Sequence, residues 1–283
     1  ALAGSNLIQI DALEADHRRT ELDTVGDPRD SGVARPDDGA VVRARRVVLA
    51  GNPRVPRIPD GVELGAAVVG LEGIDLDQVR PGQRIAVVGA GQTAGQLALR
   101  ATQRGAVVTV VARGPQRVAD LDVDAGWLMD DHLVPLRAVR DPVERRLIVE
   151  AAQCGSMTAD VDRDLRRLRV TRVCEVGGIE ARDDAPGAVI RFVGVECRVD
   201  RVWVATGSMP DLRASAPLAA VAEAGAPHVG GWPVLDERLQ WCDGLVVVGA
   251  LAALTLGPAA GNLGGARAAA DILAAHPPRR VDG

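Results

Sequence analysis

The sequence predicts an α/β protein built around a buried parallel sheet, and three observations support this fold class. Residues 84–113 read as a strand, a helix and a second strand in direct succession. Further apolar runs at residues 47–50, 202–205 and 245–248 each lead into a glycine-containing turn. Such near-continuous aliphatic runs are typical of strands buried on both faces of a parallel sheet. Stretches with helical periodicity lie between them, as the α/β class requires.

The unit at residues 84–113 is the clearest element of the chain. Residues 85–88 are an unbroken apolar run, and residues 93–104 place small and apolar side chains on one helical stripe. Gly105 ends the helix, and the β-branched run at residues 107–111 predicts the second strand. A glycine pattern is informative only in this context, so the unit predicts dinucleotide binding.

The loop between that strand and helix has the spacing G-x-G-x-x-A. Gly89 permits a tight turn, Gly91 lets the backbone approach a pyrophosphate, and Ala94 lets the helix pack on the strand. The free amides and the dipole at the helix start favour the anion. The alternative is a glycine turn without a ligand, which the agreement of strand, glycines and helix disfavours. We expect the cofactor-binding residues here to be Gly89, Ala90, Gly91, Gln92, Thr93 and Ala94.

Two arginines follow the second strand, where NAD-binding units usually have an acidic residue for the ribose hydroxyls. Arg113 occupies that position, and Arg117 follows about one helical turn further on. An arginine suits a 2′-phosphate and offers no acceptor to a free 2′-hydroxyl. The sequence therefore predicts NADP(H) rather than NAD(H).

Composition excludes several functional classes. The chain has 283 residues, enough for one large or two ordinary domains, with 47% hydrophobic and 25% charged residues. A net charge of -5 with dispersed arginines gives no reason to expect nucleic acid. No apolar run approaches the roughly 20 residues of a membrane span, and no signal peptide is recognisable at the start. We expect a cytoplasmic protein with no membrane partner.

The chain shows no pattern for metal or dithiol chemistry. Its four cysteines are widely spaced, without C-x-x-C, and its four histidines are scattered. We expect buried free thiols and no metal site. Serine, histidine and aspartate are not grouped as a catalytic triad, so catalytic residues stay unassigned. Trp127, Asp131 and His132 are candidates for catalysis only because they follow the nucleotide unit. The four cysteines, expected to be buried free thiols, are Cys154, Cys174, Cys197 and Cys242.

The remaining elements are shorter. Residues 7–47 alternate apolar runs with turn-rich segments, which predicts antiparallel strands at residues 7–10, 21–25 and 41–42. After Arg113 we expect a solvated, aspartate-rich loop, then helices at residues 141–152 and 159–168 with Ser156 or Thr158 as N-cap. Short strands are expected at residues 170–173, 189–193 and 196–199, with a last helix starting near Gly264 and Gly265.

These motifs together resemble flavoproteins with two dinucleotide-binding domains, of the monooxygenase and pyridine-nucleotide oxidoreductase type. In that family an NADPH domain interrupts an FAD domain. The segment VVLAGNPRVPRIP resembles the crossing out of the FAD domain, and VWVATGSMP resembles the crossing back. The terminal segment resembles the one that closes over the flavin, with its last helix directed at the isoalloxazine ring. The resemblance implies further cofactor-binding residues at Ala205, Thr206, Gly207, Gly249 and Gly265.

The chain also departs from the family. No βαβ unit with G-x-G-x-x-G for the ADP half of FAD precedes residue 84, and Ala250 replaces a commonly acidic residue. We therefore expect a Rossmann-like NADP-binding domain inserted into an incomplete FAD-type α/β domain. Its N-terminal FAD-binding segment would be missing or supplied by a partner. The expected parts are residues 1–75 and 200–283 for the FAD-type domain, sharing one sheet, and residues 76–199 for the NADP-binding domain.

The resemblance implies an NADPH-dependent flavoprotein oxidoreductase that is monooxygenase-like, with NADP and FAD as cofactors and a small-molecule substrate. The alternative is a flavin-free NADP-binding module or a degenerate, non-catalytic relative. A third class, dithiol reductases, is disfavoured because C-x-x-C is absent. Flavin absorbance of the purified protein distinguishes the first two hypotheses.

Overall fold

The computed structural model describes residues 46–153 and 155–277, together with the backbone of Ile8 and Gln9. Its strands, β1 to β18 in chain order, are Ile8–Gln9, Val47–Leu49, Arg54–Pro56, Val68–Gly70, Arg84–Val88, Val107–Val111, Arg117–Val118, Ser156–Met157, Thr171–Val173, Ile179–Asp184, Gly187–Phe192, Val195–Val199, Arg201–Val204, Ser208–Pro210, His228–Val229, Trp232–Pro233, Gln240–Cys242 and Leu245–Val247. Its helices, α1 to α7, are Gln92–Gln103, Asp130–Ala138, Pro142–Ala152, Ala159–Arg167, Ala216–Glu223, Ala253–Leu256 and Leu263–Ala275. The expected strands at residues 21–25 and 41–42, and Cys154, lie outside the described residues.

The chain forms two compact units, each assembled from separated segments. The first unit comprises Ala1–Val55, Val123–Gln153 and Pro210–Gly283, and the second comprises Pro56–Asp122 and Cys154–Met209. These boundaries differ from those expected after residues 75 and 199. Strand β4 belongs to the second unit because it pairs with β13, and helix α3 belongs to the first because Val149 is buried in that unit's core. Which dinucleotide each unit serves stays a prediction.

The second unit is a five-stranded parallel sheet in the order β4-β13-β5-β6-β9. Side chains alternate between its faces, as they must in any strand. On β5, Ile85 and Val87 pack in one apolar cluster with helices α1 and α4. Ala86 and Val88 pack in another with the three-stranded antiparallel sheet β10-β11-β12. Both faces are covered, so the central strand is apolar throughout.

The first unit contains a four-stranded sheet in the order β1-β2-β18-β17. Strands β2 and β18 are parallel, with Val47 opposite Leu245, so two apolar runs far apart in sequence share this sheet. The expectation that residues 201–204 would join the same sheet is wrong. Strand β13 instead lies between β4 and β5, where Val202 is fully buried and Trp203 and Val204 nearly so. An apolar pattern shows that a strand is buried on both faces but not which sheet it enters.

Other local predictions have mixed outcomes. Helices α3 and α4 form within one residue of the predicted bounds. Of the two residues proposed as N-cap, Thr158 occupies that position in α4, although its side chain makes no capping hydrogen bond. Asp141 caps α3 by accepting from the Val143 amide. The segment after Arg113 is not only a solvated loop, because it contains β7 and helix α2, whose interior Pro135 disguised the helical pattern. Strand β10 was also missed. The cysteines Cys174, Cys197 and Cys242 are free but half-buried rather than buried.

No described helix is both long and apolar enough to cross a membrane.

Asp183 on β10 fastens the antiparallel sheet to the segment that precedes β4. Its carboxylate accepts hydrogen bonds from the amides of Ala66 at 2.7 Å, Ala67 at 3.0 Å and Val68 at 3.1 Å. Gly65 leaves room for it, because a Cβ there would lie 2.3 Å from Asp183 Oδ2. The Ala67 amide, with those of Ala66 and Val68, holds the pKa of Asp183 below its ordinary value against the opposing effect of burial.

We expect Asp183→Asn to destabilise the protein at neutral pH by about 1 kcal/mol, the low end for charge-assisted bonds because the carboxylate is exposed. Since the folded-state pKa is lowered, the wild-type contribution is present above the unfolded pKa of about 3.9 and disappears as pH falls through the folded pKa. Thermal unfolding of both proteins between neutral and strongly acidic pH measures this, with Asp60→Asn as an exposed control. A stability difference that does not narrow in acid contradicts the role of Asp183.

Candidate functional site

The carboxyl edge of the five-stranded sheet brings together most of the residues predicted to bind a cofactor. Strand β5 ends at Val88, the loop follows, and helix α1 begins at Gln92 with Gly91 as its N-cap. The neighbouring strand β13 ends beside this loop, where the Ala205 amide donates to the Val88 carbonyl at 2.8 Å. In open α/β sheets, ligands bind at this edge.

Gly89 is required by the packing of the two strand ends. Its φ of 148° lies in the region that favours glycine, and a Cβ there would lie 2.3 Å from the Ala205 carbonyl oxygen. Its amide donates to the Val111 carbonyl at 2.9 Å. The first glycine of the motif therefore fixes the turn through three neighbouring strands, independently of any ligand.

Gly91 and Gly95 have different roles. A Cβ on Gly91 would approach nothing closer than Gly155 Cα and the Ser156 carbonyl oxygen, both at 3.8 Å, so the protein itself tolerates a side chain there. A Cβ on Gly95 would lie 2.6 Å from Val161 Cγ1, so this glycine lets α4 pack on α1. Ala94 on α1 is fully buried in the same apolar cluster as Val161. Of the two glycines, Gly91 is the one whose absence of a side chain the packing does not explain.

The start of α1 is available to an anion. The structure shows no side-chain cap on this 12-residue helix, Thr93 is exposed, and Ala90 is half-buried. Backbone amides in a helix's first turn have no partner within the helix, and the dipole is positive there. The Gln92 side chain is engaged elsewhere, because its Oε1 accepts from the Thr158 amide at 2.9 Å at the start of α4. Gln92 thus joins two helices.

Arg113 and Arg117 lie on the loop that follows β6. Arg113 is exposed and Arg117 is half-buried, and neither guanidinium has a hydrogen-bond or ion-pair partner among the residues the structure describes. The loop leaves the sheet where the Ala112 amide donates to Val173 at 2.8 Å, and it re-enters regular structure where β7 pairs with β8. Guanidinium groups of this kind suit a phosphate dianion, and the predicted role of Arg113 and Arg117 stays a prediction.

The segment Ala205-Thr206-Gly207 is joined by hydrogen bonds to the segment around Arg57. The Thr206 hydroxyl donates to the Arg57 carbonyl, and the Arg57 amide donates to the Gly207 carbonyl at 2.9 Å. Gly207 has a φ of 82°, and a Cβ there would meet nothing within 4 Å. Of the three residues, Ala205 lies against Gly89, whereas Thr206 and Gly207 hold the segment at residue 57.

Gly249 and Gly265 lie in the first unit. Gly249 begins a 3-10 turn after β18 and has a φ of 74° with open space around it. Gly265 lies in the first turn of α7, where its amide donates to Asn262 Oδ1 at 3.0 Å. A Cβ on Gly265 would lie 2.4 Å from Ala260, so close packing requires this glycine. The neighbouring Leu263 is 90% exposed.

The residues proposed by position alone also lie in the first unit. The rings of Trp127 and His132 are 5.1 Å apart, and His132 Nε2 lies 3.4 Å from Asp124 Oδ1. Asp131 is exposed in the first turn of α2. No group of histidine, cysteine or acidic residues among the described residues has the arrangement of a metal site.

Sequence reasoning missed the segment that faces the glycine loop. Ser156 is 3% exposed, and its Oγ lies 3.0 Å from Asp122 Oδ1 and 3.1 Å from the Leu121 carbonyl oxygen. Gly155 faces Gly91 across the loop, so that a Cβ added to Gly155 would lie 3.6 Å from Gly91 Cα. The Gly-Ser pair at residues 155–156 was the available signal, but its meaning depends on a contact that spans more than 60 residues.

Comparison with known proteins identifies the fold. No family model and no curated protein matches the sequence. Among solved structures, the ornithine N-hydroxylase of Kutzneria sp. 744 aligns with a TM-score of 0.61 and 18% identity over 82% of this chain and 63% of that one. L-lysine 6-monooxygenase from Pseudomonas syringae aligns with a TM-score of 0.57 and 19% identity over 83% of this chain and 65% of that one. The ornithine hydroxylase of Pseudomonas aeruginosa aligns with a TM-score of 0.55 and 18% identity over 82% of this chain and 61% of that one.

The chain therefore shares the α/β fold of these three solved structures, which confirms the predicted α/β fold class. It spans less than two thirds of the length of each of these three proteins. At these identities the likeness concerns the fold.

We expect Gly89→Ala and Gly91→Ala to differ sharply in stability. At Gly89 the added Cβ overlaps the Ala205 carbonyl in a strained backbone conformation, which predicts a loss of about 2 kcal/mol or more. At Gly91 the Cβ meets only ordinary contacts and an allowed φ of -91°, so the stability change stays within about 0.5 kcal/mol. Chemical denaturation measures both, and equal destabilisation refutes this division of roles.

Proposed function

We propose that this chain is the NADPH-binding part of an FAD-dependent, monooxygenase-like oxidoreductase. The proposal rests on the edge of the five-stranded sheet, where one strand–helix–strand unit carries the uncapped start of α1 and then Arg113 and Arg117. Neither arginine has a partner among the residues that the structure describes. A bare helix start favours a pyrophosphate, and free guanidinium groups favour a second phosphate. NADPH carries both groups.

The residues of this unit have distinct proposed tasks. The amides at the start of α1 would hold the pyrophosphate, and Gly91 would leave the backbone accessible to it. Arg113 and Arg117 would pair with the 2′-phosphate, which NADH lacks. Ala205 would form the neighbouring wall of the site, because its carbonyl lies against Gly89.

We assign the flavin to the first unit, through Gly249 and the start of α7. Leu263 and Gly264 are exposed there, and the Asn262 side chain occupies only the Gly265 amide. The residues present suit the flavin end of FAD but not its ADP half, because no G-x-G-x-x-G unit precedes residue 84. We therefore propose that an additional N-terminal FAD-binding segment completes the site.

When bound, the two cofactors would supply hydride transfer from NADPH to flavin. The contribution of this chain is to bind, orient and shield them, which agrees with the absence of a triad in its sequence. We propose a small-molecule substrate, because the similar structures are named for enzymes acting on ornithine and lysine. A cytoplasmic location fits the three cysteines that are free in the described part of the chain.

We predict that the wild-type chain binds NADPH more tightly than NADH, and that Arg113→Ala weakens NADPH binding about ten- to a hundredfold with little effect on NADH. Each charge-assisted contact to the 2′-phosphate is worth roughly 1.5–3 kcal/mol. Calorimetric titration of both nucleotides measures the effect.

The matched control is Arg182→Ala, an exposed arginine on the antiparallel sheet. It should leave both affinities unchanged. Equal affinity of the wild-type protein for NADPH and NADH contradicts the assignment of the arginines.

We also predict that the 283-residue chain alone binds FAD weakly or not at all, and that an N-terminal G-x-G-x-x-G unit restores binding. Absorbance of the purified protein, with and without added FAD, tests this. Stoichiometric, tightly bound FAD in the chain alone overturns the proposed missing segment. NADPH binding without flavin, even after the unit is added, favours the alternative of a flavin-free NADP-binding module.

A further inference from the structure

The segment at residues 112–117, here called the arginine loop, contacts a charged cluster that the proposed function does not use. Asp162 on α4 is 8% exposed, and its carboxylate lies 2.6 Å from Arg172 Nη1 and 2.9 Å from Arg166 Nε. Burial alone would raise the pKa of Asp162, but the hydrogen bonds from Arg172 and Arg166 outweigh this and hold its pKa below the usual value. The carboxylate is therefore charged and firmly bound at neutral pH.

Such a pair is a costly way to stabilise a fold, because two charges must leave water before they can attract each other. Arg172 sits on β9, and its side chain is 21% exposed. Its position suggests a task other than stability, since the same Nη1 that contacts Asp162 also donates to Gln116 Oε1 at 3.1 Å. Gln116 lies between Arg113 and Arg117 on the arginine loop.

The loop has few other close attachments between its ends. Backbone contacts from Glu175 to Gly114 and from Gly177 to Arg113 are both 3.4 Å long, beyond the usual range of about 2.7–3.2 Å. Pro115 has no amide to donate. Among the described residues, the hydrogen bond from Arg172 Nη1 to Gln116 Oε1 is thus shorter than the backbone bonds that hold the middle of the loop.

In the described structure, the side-chain amide of Gln116 is hydrogen-bonded through its oxygen but not through its nitrogen. Its Nε2 is buried and has no hydrogen-bond partner in the described structure. A buried donor without a partner costs stability, so packing alone does not favour a glutamine here. Its oxygen, which receives the Arg172 bond, is the end with a function in this arrangement.

We propose that Arg172, held by Asp162 and acting through Gln116, positions the arginine loop for the 2′-phosphate of NADPH. These are positioning residues that determine coenzyme preference without touching the coenzyme. The inference rests on the proposed function, because it concerns the same nucleotide site. A guanidinium loses little entropy on binding a phosphate when its loop is already fixed, which is the benefit of preorganisation.

The test compares 2′,5′-ADP with 5′-AMP, which differ by the phosphate that Arg113 and Arg117 would bind. Gln116→Met keeps the length of the side chain and removes the acceptor for Arg172. We expect it to weaken 2′,5′-ADP binding about tenfold and to leave 5′-AMP binding and the melting temperature unchanged. Gln103→Met, at an exposed position late in α1, is the matched control and should change neither affinity.

A second variant keeps the test decisive should Gln116→Met fold poorly. Arg172→Lys retains a charge for Asp162, but the shorter lysine side chain does not place its ammonium where Arg172 Nη1 contacts both Asp162 and Gln116. It should produce the same selective loss, and the double variant should be no worse than either single variant, as expected for residues acting in series.

The outcomes separate the two ideas. Wild-type protein that does not prefer 2′,5′-ADP over 5′-AMP overturns the proposed NADPH site and the positioning role with it. A wild-type preference that survives in both single variants overturns the positioning role alone. Equal weakening of both ligands also overturns it, because that result indicates general damage to the site.

Discussion

The close approach of strands β5 and β13 at their carboxyl ends is the constraint on which the candidate site depends. The Ala205 carbonyl occupies the space where a side chain on Gly89 would stand, so only glycine fits the turn. That turn sets where α1 begins and leaves the amides at its start without a side-chain cap. Strand packing therefore fixes the geometry of the proposed phosphate site without a ligand, and such preorganisation lowers the entropy cost of binding.

The sequence predicted the elements whose signals are local. The unit at residues 84–113 was correct because a β-branched run, closely spaced glycines and a helical stripe all occur within 30 residues. Membership of a sheet is not local information. The apolar run of β13 resembles that of β2, yet the two strands enter different sheets. Helix α2 was missed because Pro135 and two leading aspartates break the apolar pattern.

The candidate site was predictable to the same degree. The spacing of the sequence locates the glycines and the two arginines. It does not show whether a polar side chain near the motif bonds to a ligand or to another part of the protein. Gln92 and Thr206 were predicted to contact a cofactor, and the structure shows their side chains bonded to Thr158 and Arg57. Gln116 gave no signal, because its partner Arg172 is 56 positions away.

The interleaved segments have a consequence for how the chain folds during synthesis. Strand β2 cannot find its parallel neighbour β18 until nearly 200 further residues have left the ribosome. All strands of the five-stranded sheet have been synthesised once β13 emerges, so this sheet can form before β18 is available to pair with β2. Pairing between such distant segments is slow, because the intervening loop must close before any contact forms. During translation the side of β2 that pairs with β18 thus stays unpaired, and an unpaired apolar strand edge is prone to aggregation.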